Sequence, residues 1–218
     1  MKVLKYIIAI LLVIVLLIII SFVINNIKTN SIMDDYSSIY NNEKYSQSYY
    51  IDNIDVFEQK VSCGYAVIEM IAKWNNDDIS EQSLFDKYGK VVTSTGKSFE
   101  KEMNKLFPEY KTTMYKYLKN TELIDKVYNS LANNNPVPFE WAAKYNDEWT
   151  LHYSLITGID IKNDKIIINN PYGYKEEISI KEFLDGTSFN SYENMPLFFK
   201  LGFNFGLFEK NTIFIIEK

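Results

Sequence analysis

The hydrophobic pattern opens with one long apolar run over residues 7–24, which contains almost only Ile, Leu and Val and no charged residue. A helix needs roughly 17 to 25 apolar residues to cross the hydrocarbon layer of a bilayer, so the run predicts a transmembrane helix. It is longer than the apolar part of a typical signal peptide, and no small-residue cleavage pattern follows it. We therefore expect an uncleaved signal anchor. The alternative, a buried core helix, would need a much larger protein around it.

The charges beside this run predict its orientation. Lys2 and Lys5 precede it and Lys28 follows it, so the positive-inside rule predicts a single-pass protein of the cell membrane with its globular part outside the cell. Residues 29–52 are rich in Asn, Ser, Tyr and acidic residues without a clear period, which is typical of a stalk or a loosely packed lead-in. The chain is thus divided into an anchor (1–28), a stalk or lead-in (29–52) and one globular domain (53–218).

The first half of the domain has a helical pattern. Apolar residues after Ser62 recur with the three-and-four spacing of one buried helix face. These residues are Cys63, Ala66, Val67, Met70, Ile71 and Trp74. Polar start signals predict further helices over residues 80–88, 98–107 and 121–133.

The second half of the domain has a strand pattern. Segments 137–141, 149–159, 165–169 and 212–216 are rich in Val, Ile, Thr and aromatic residues. Helices followed by strands predict an α+β domain. The second and third strands should form a hairpin that turns near Asn163 and Asp164, so that His152 and Asn170 emerge at the same end of it.

Composition and charge exclude several functions. Of 218 residues 47% are hydrophobic and 16% aromatic, which is enough for a folded core. The net charge of -5 and the absence of a dense Lys and Arg stripe argue against nucleic-acid binding. The chain has one Cys and one His, so an intramolecular disulfide and a zinc site built from several Cys and His ligands are excluded. We expect neither a metal nor a cofactor.

Cys63 is the first candidate for chemistry. Ser62 is a good N-cap, so Cys63 is predicted at the positive end of a helix dipole, which favours a thiolate. Gly64 in the first turn weakens the helix by roughly 1 kcal/mol relative to Ala, which indicates close approach of another backbone or of a ligand. Beside a nucleophile, that is where a substrate would lie. The alternative is that Cys63 is a small apolar residue of the core.

His152 also has two interpretations, because a single His in a strand is more often a structural residue than a base. Three strings favour catalysis when taken together: SCGYA at 62–66, HYSLITG at 152–158 and NNPYG at 169–173. In this order they resemble the papain-like cysteine peptidases related to bacteriocin-processing peptidases. The resemblance covers residues 55–173, and the single Cys and single His both fall on the matching positions.

The resemblance implies a papain-like fold, with a helical half that carries the Cys and an antiparallel β half that carries the His. It also implies a catalytic triad in which Cys63 is the nucleophile, His152 is the base and then the acid, and Asn170 orients the imidazole. Bacteriocin-processing relatives usually have Asp at the third position, whereas papain-type peptidases use Asn. Asn169 is an alternative for this role.

The family also has a Gln upstream of the Cys that donates to the oxyanion, and the candidate here is Gln59. Its spacing departs from the pattern, because relatives usually have this Gln about six positions upstream, where Phe57 stands. Gln59 would need a shorter loop to reach the oxyanion. The amide of Cys63 is a second candidate donor, and the alternative for Gln59 is a solvated loop residue.

The function that follows is a membrane-anchored cysteine peptidase that hydrolyses a peptide or protein substrate through a thioester intermediate. Leader-peptide removal does not carry over, because the chain has no nucleotide-binding motif and is expected to face outward. Three alternatives stay open. The domain could be inactive and bind peptides or a partner protein, it could transfer the acyl group to an amine, or it could be a structural membrane protein of another fold.

Overall fold

The computed structural model describes residues 2–89, 93, 95–145, 148–189 and 195–218. The helices are α1 (Lys2–Ile32), α2 (Cys63–Trp74), α3 (Glu81–Tyr88), α4 (Gly96–Leu106), α5 (Asn120–Ala132), α6 (Ile180–Ser188) and α7 (Leu197–Asn204). The strands are β1 (Tyr49–Tyr50), β2 (Lys111–Tyr115), β3 (Val137–Tyr145), β4 (Glu148–Asp160), β5 (Lys165–Asn170), β6 (Tyr174–Ile178) and β7 (Thr212–Glu217).

The strands form one antiparallel sheet in the order β2-β7-β3-β4-β5-β6, and β1 pairs with β4 beside this path. Helices α2 and α5 pack on β4, α4 packs on β2, and α6 packs on β3. The predicted α+β class is therefore confirmed. The largest fully buried side chains of the core are Tyr65, Phe99, Phe107, Phe139, Phe183 and Phe214.

The hairpin of β4 and β5 was predicted from its turn residues and is confirmed. The two strands pair antiparallel with Leu155 opposite Asn169, and the turn residue Asp164 has a φ of 55°. The register shifts between Ile156 and Gly158. His152 on β4 and Asn170 at the end of β5 therefore lie at the same end of the hairpin, as expected.

The predicted helices are present, and the largest boundary difference is at the start of α4. Helix α4 begins at Gly96 rather than at residue 98, because Thr95 is the N-cap and its side chain accepts a hydrogen bond from the amide of Ser98. Ser98 is thus the third residue of a capping box and not the cap itself.

The segment expected as a stalk or lead-in packs against the domain. Ile39, Tyr45 and Ile51 are buried in the main core, and the ring of Tyr45 lies edge-on to that of Tyr128 on α5, with 4.9 Å between centroids. The pattern missed this packing because the contacts join residues far apart in sequence.

Helix α1 is long and apolar enough to cross a membrane. Its apolar part is exposed on all sides, whereas Asn25, Thr29 and Ile32 near its C-terminal end are buried against the domain. These three residues recur every three or four positions, so one face of the last helical turns contacts the domain.

Candidate active site

Cys63 is the first residue of α2, as the N-cap signal predicted. The hydroxyl of Ser62 accepts a hydrogen bond of 3.2 Å from the amide of Tyr65. The backbone of Ser62 is extended, with φ -157°, and the chain enters the helix directly at the thiol. Cys63 is half-buried.

The loop before Cys63 is held by a carboxylate from α3. Glu81 is buried and accepts hydrogen bonds of 2.8, 2.8 and 2.7 Å from the amides of Lys60, Val61 and Ser62. Charge-assisted bonds to three consecutive amides fix the backbone that leads into the nucleophile. No local pattern predicts this contact, because Glu81 lies some twenty residues downstream.

The expectation for Gly64 was wrong in its detail. A Cβ atom at Gly64 would clash with the hydroxyl oxygen of Thr93. The close approach is therefore made by a side chain of the same domain, and a larger residue at position 64 would displace Thr93. The substrate space must lie on another side of Cys63.

That space is a cavity of about 390 Å³ beside the start of α2. It is lined by Gln59, Ser62, Cys63, Trp149, Thr150, Leu151, His152, Tyr172, Pro196 and Phe199. The structure thus brings the predicted nucleophile, the predicted base and the predicted oxyanion donor to one cavity.

Asn170 binds the imidazole of His152. Its Oδ1 lies 3.0 Å from Nε2 of His152 and also accepts a 3.0 Å bond from the amide of Tyr172. Its Nδ2 donates to a carboxylate oxygen of Glu176 at 2.6 Å. These contacts fix the amide with its oxygen toward His152, so Nε2 carries the proton and Nδ1 is the free base.

Two further contacts define this side of the site. The rings of His152 and Tyr172 stack with 4.1 Å between centroids and 20° between planes, which restricts rotation of the imidazole. Asn169, the alternative to Asn170, is turned away from His152, since it accepts from the hydroxyl of Thr157 and donates to the carbonyl of Ile54.

Gln59 lies at the cavity rather than in solvent. The backbone amide of Gln59 donates a 2.7 Å hydrogen bond to the carbonyl of Pro171, which connects the loop before Cys63 to the turn after Asn170. Its side-chain Oε1 is buried and has no hydrogen-bond partner among the described residues. A buried amide oxygen left open in this way is suited to accept from a ligand.

The electrostatics of the thiol differ from the expectation. Burial raises the pKa of Cys63 to about 11, against the lowering effect of hydrogen bonds from the backbone amides of Tyr153, Gly64 and Cys63 itself. Burial also lowers the pKa of His152 to about 4, against the opposing hydrogen bond with Asn170. Without substrate both groups are therefore neutral near pH 7. The helix N-terminus alone does not produce a thiolate here.

A second buried acid lies near the thiol. Burial raises the pKa of Glu140 to about 7, against the lowering effect of the neighbouring Tyr153 hydroxyl, and the charge of Glu140 in turn raises the pKa of Cys63. Glu140 and Tyr153 are directly opposite each other on β3 and β4.

Sequence reasoning missed Glu81, Glu176, Tyr172 and Glu140. Tyr172 and Glu176 stand two and six positions after Asn170, and the alternation of side chains along a hairpin gives a weak signal for residues of this kind. Glu81 and Glu140 had no such signal, because their positions near Cys63 depend on how α3 packs against α2 and on the pairing of β3 with β4.

A helix-borne thiol and a sheet-borne imidazole that line one cavity of an α+β domain define the class of papain-like cysteine peptidases. The chain belongs to the Peptidase_C39 like family, whose model matches residues 51–196. Membership gives the chain a cysteine-peptidase-like domain.

Two solved structures are similar to this chain, at 18% and 15% sequence identity. The peptidase domain of Streptococcus ComA, a bifunctional ABC transporter involved in a quorum sensing pathway, is 18% identical, with a TM-score of 0.50 over 75% of this chain and 98% of that one. A double glycine motif protease from an AMS/PCAT transporter, solved with its leader peptide, is 15% identical, with a TM-score of 0.46 over 78% of this chain and 98% of that one. No curated protein sequence matches the chain significantly.

Proposed function

We propose that the chain is a membrane-anchored cysteine peptidase that cleaves peptide bonds through Cys63, His152 and Asn170. One observation carries this proposal: Cys63 and His152 line the same cavity, while Asn170 binds the imidazole through Nε2. This arrangement leaves Nδ1 of His152 free to take the thiol proton.

In the proposed reaction the thiol proton moves to Nδ1 of His152 as the sulfur attacks the substrate carbonyl. Transfer during attack is favoured over a preformed ion pair, because burial keeps both the thiol and the imidazole neutral near pH 7. The protonated imidazole then gives its proton to the leaving amine, and a thioester remains on Cys63. Water activated by His152 hydrolyses the thioester and restores the thiol.

The proposed oxyanion site consists of the side-chain Nε2 of Gln59 and the backbone amide of Cys63. Gln59 supports this role because its side chain borders the cavity and its Oε1 is buried without a partner among the described residues. In this arrangement Nε2 donates to the oxyanion and Oε1 is open to an amide of the substrate.

We divide the chain into a proposed anchor of residues 1–28, a lead-in of residues 29–52 and a peptidase domain of residues 53–218. The apolar part of α1 supports a single crossing of the cell membrane, and Lys2 and Lys5 before it favour an extracellular domain.

The first experiment uses the full chain purified in detergent and a peptide vinyl sulfone, a thiol-directed electrophile. We expect covalent labelling at Cys63, no labelling of Cys63→Ser, and much slower labelling of His152→Ala, each measured by mass spectrometry. A Lys181→Ala variant, which changes an exposed side chain on α6, is the control and should be labelled at the rate of the unchanged protein.

The second experiment identifies the reaction. The same protein is incubated with a mixed peptide library in ¹⁸O water, with and without a primary amine. Hydrolysis gives new C-termini that contain ¹⁸O, whereas acyl transfer gives fragments joined to the amine. If Cys63 is not labelled and no fragment forms, the domain binds peptides or a partner without catalysis and the proposed activity is wrong.

A further inference from the structure

Helix α7 and the residues after it expose an unusual number of large apolar side chains. Leu197, Phe198 and Leu207 are 69%, 68% and 66% exposed, and Leu201 and Phe205 are also exposed. A contiguous apolar surface of this kind marks an interaction site in a folded protein. The opposite side of the segment is held by a small aromatic cluster that includes Phe203, Phe208 and Phe189, so the exposed side chains stand on a packed base.

This apolar segment lies beside the membrane anchor. Helix α7 contacts α1, and a groove of about 500 Å³ lies between α1 and the residues that follow α7. On the α1 side the groove is lined by Leu17, Ile20 and Ile24, and on the domain side Phe205 and Gly206 are among the lining residues.

The residues of α1 that lie beside Phe205 indicate the depth of Phe205 relative to the bilayer. Leu17 and Ile24 are seven residues apart, which corresponds to about 10 Å along a helix, and both belong to the uncharged run that would occupy hydrocarbon. Phe205 borders the same groove as Leu17 and Ile20, beside the part of α1 that would lie in hydrocarbon.

The polar end of the groove fits the same placement. Lys28, Lys116 and Glu209 also line it, and the ammonium group of Lys28 lies 5.3 Å from the centre of the Tyr117 ring. Tyr and Lys side chains are typical of the headgroup region. The lining of the groove therefore changes from apolar to charged residues as a bilayer changes from its hydrocarbon core to its headgroups.

We propose that residues 197–207 insert into the outer leaflet of the bilayer that holds the anchor; this rests on the anchor in the proposed function. Pro196, which precedes this segment, and Phe199 within it line the cavity that contains Cys63 and His152. The cleft then opens at the membrane surface, and its substrates are peptide segments that lie at that surface rather than freely dissolved peptides.

The test measures the depth of spin labels in the full chain. In a Cys63→Ser background, single cysteines are placed at Phe198 and Leu207, which are exposed, and the labelled proteins are reconstituted in phosphatidylcholine and phosphatidylglycerol vesicles. Collision with oxygen, which concentrates in hydrocarbon, is compared with collision with a water-soluble nickel chelate. Val15→Cys in the anchor is the lipid reference.

Asp78→Cys is the aqueous reference, because Asp78 is fully exposed and follows the end of α2 opposite to Cys63. We expect the labels at positions 198 and 207 to resemble that at position 15, and an added Leu201→Asp substitution to shift the position 198 label toward the aqueous value. If both labels behave like that at position 78 while the label at position 15 is in lipid, the proposed insertion is wrong but the proposed anchor is supported. If the label at position 15 is itself in water, the proposed anchor is wrong.

Discussion

The side-chain nitrogen of Asn170 lies 2.6 Å from a carboxylate oxygen of Glu176, and this contact favours an amide over a carboxylate at position 170. Burial raises the pKa of Glu176, while the hydrogen bond from Asn170 lowers it. An Asp at position 170 would set two carboxylates against each other at hydrogen-bond distance, and one of them would have to bind a proton or turn away. Asn170 instead donates to Glu176 and accepts from His152.

This geometry predicts that Asn170→Asp lowers kcat/KM and that an added Glu176→Gln restores part of the loss. The coupling between the two substitutions should be roughly 1–3 kcal/mol, or about 5- to 150-fold in kcat/KM. The four proteins of the cycle are compared on one fluorogenic peptide. Glu177→Gln, which changes an exposed carboxylate on the same strand, is the control and should not rescue. Additive losses would show that Glu176 does not position Asn170.

The neutral state of the thiol predicts a particular pH profile for alkylation of Cys63. Because the pKa of the thiol is raised to about 11, the rate with iodoacetamide should rise about tenfold per pH unit from pH 6 to pH 10. A thiolate stabilised by imidazolium would instead react at a nearly constant rate over much of this range.

The profile is measured on the full chain by mass spectrometry, with Cys63→Ser as the blank. A plateau between pH 5 and pH 8 would mean that the resting site holds an ion pair, and the proposed proton transfer during attack would have to be abandoned. His152→Ala should leave the slope unchanged, since neutral imidazole does not stabilise the thiolate.

Gln59→Ala should lower kcat by roughly 100- to 1,000-fold with little change in KM, which is the usual effect of removing an oxyanion donor. The side chain is at the cavity, and its loss leaves the carbonyl of Pro171 bonded to the same backbone amide, so the loop should keep its shape. Gln82→Ala, at an exposed position on α3, is the control. A rise in KM alone would assign Gln59 to substrate binding instead.

Particular residues show what the sequence could predict. Ser62 and the hairpin turn at Asp164 are local signals, and they correctly located the thiol at a helix start and His152 near Asn170. Local patterns could not predict why glycine occupies position 64 or that the pKa of Cys63 is raised. Both depend on side chains that are distant in sequence and that folding brings close, such as Thr93 and Glu140. The apolar exposure of α7 is likewise meaningful only beside α1.

Glu81→Ala should destabilise the domain and misplace Cys63. It would leave the part-buried amides of Lys60, Val61 and Ser62 without their acceptor, and a fully buried amide without a partner costs roughly 1–3 kcal/mol. Because water can reach part of this loop, we expect a total loss of roughly 1–3 kcal/mol in the free energy of unfolding, measured by denaturant titration in detergent. The peptide vinyl sulfone should also label the folded variant more slowly, whereas Gln82→Ala should alter neither quantity. Unchanged labelling would limit Glu81 to a structural role.

Glu140→Gln should stabilise the domain at alkaline pH and not at acid pH. The pKa of Glu140 is raised from 4.5 to about 7 by burial, so between these values the folded protein binds a proton that the unfolded chain has released, and stability falls as pH rises. The amide cannot ionise, which removes a penalty of roughly 3 kcal/mol above pH 7 and nothing below pH 4.5. Unfolding free energies at pH 4 and pH 8.5 measure the difference, with Glu217→Gln at an exposed position of β7 as the control.

The Glu140→Gln variant should also be alkylated faster at Cys63 at pH 8.5, because the charge that raises the thiol pKa is gone. An equal effect of Glu140→Gln at both pH values would mean that the pKa of Glu140 is the same in the folded and unfolded states, and that burial does not raise it.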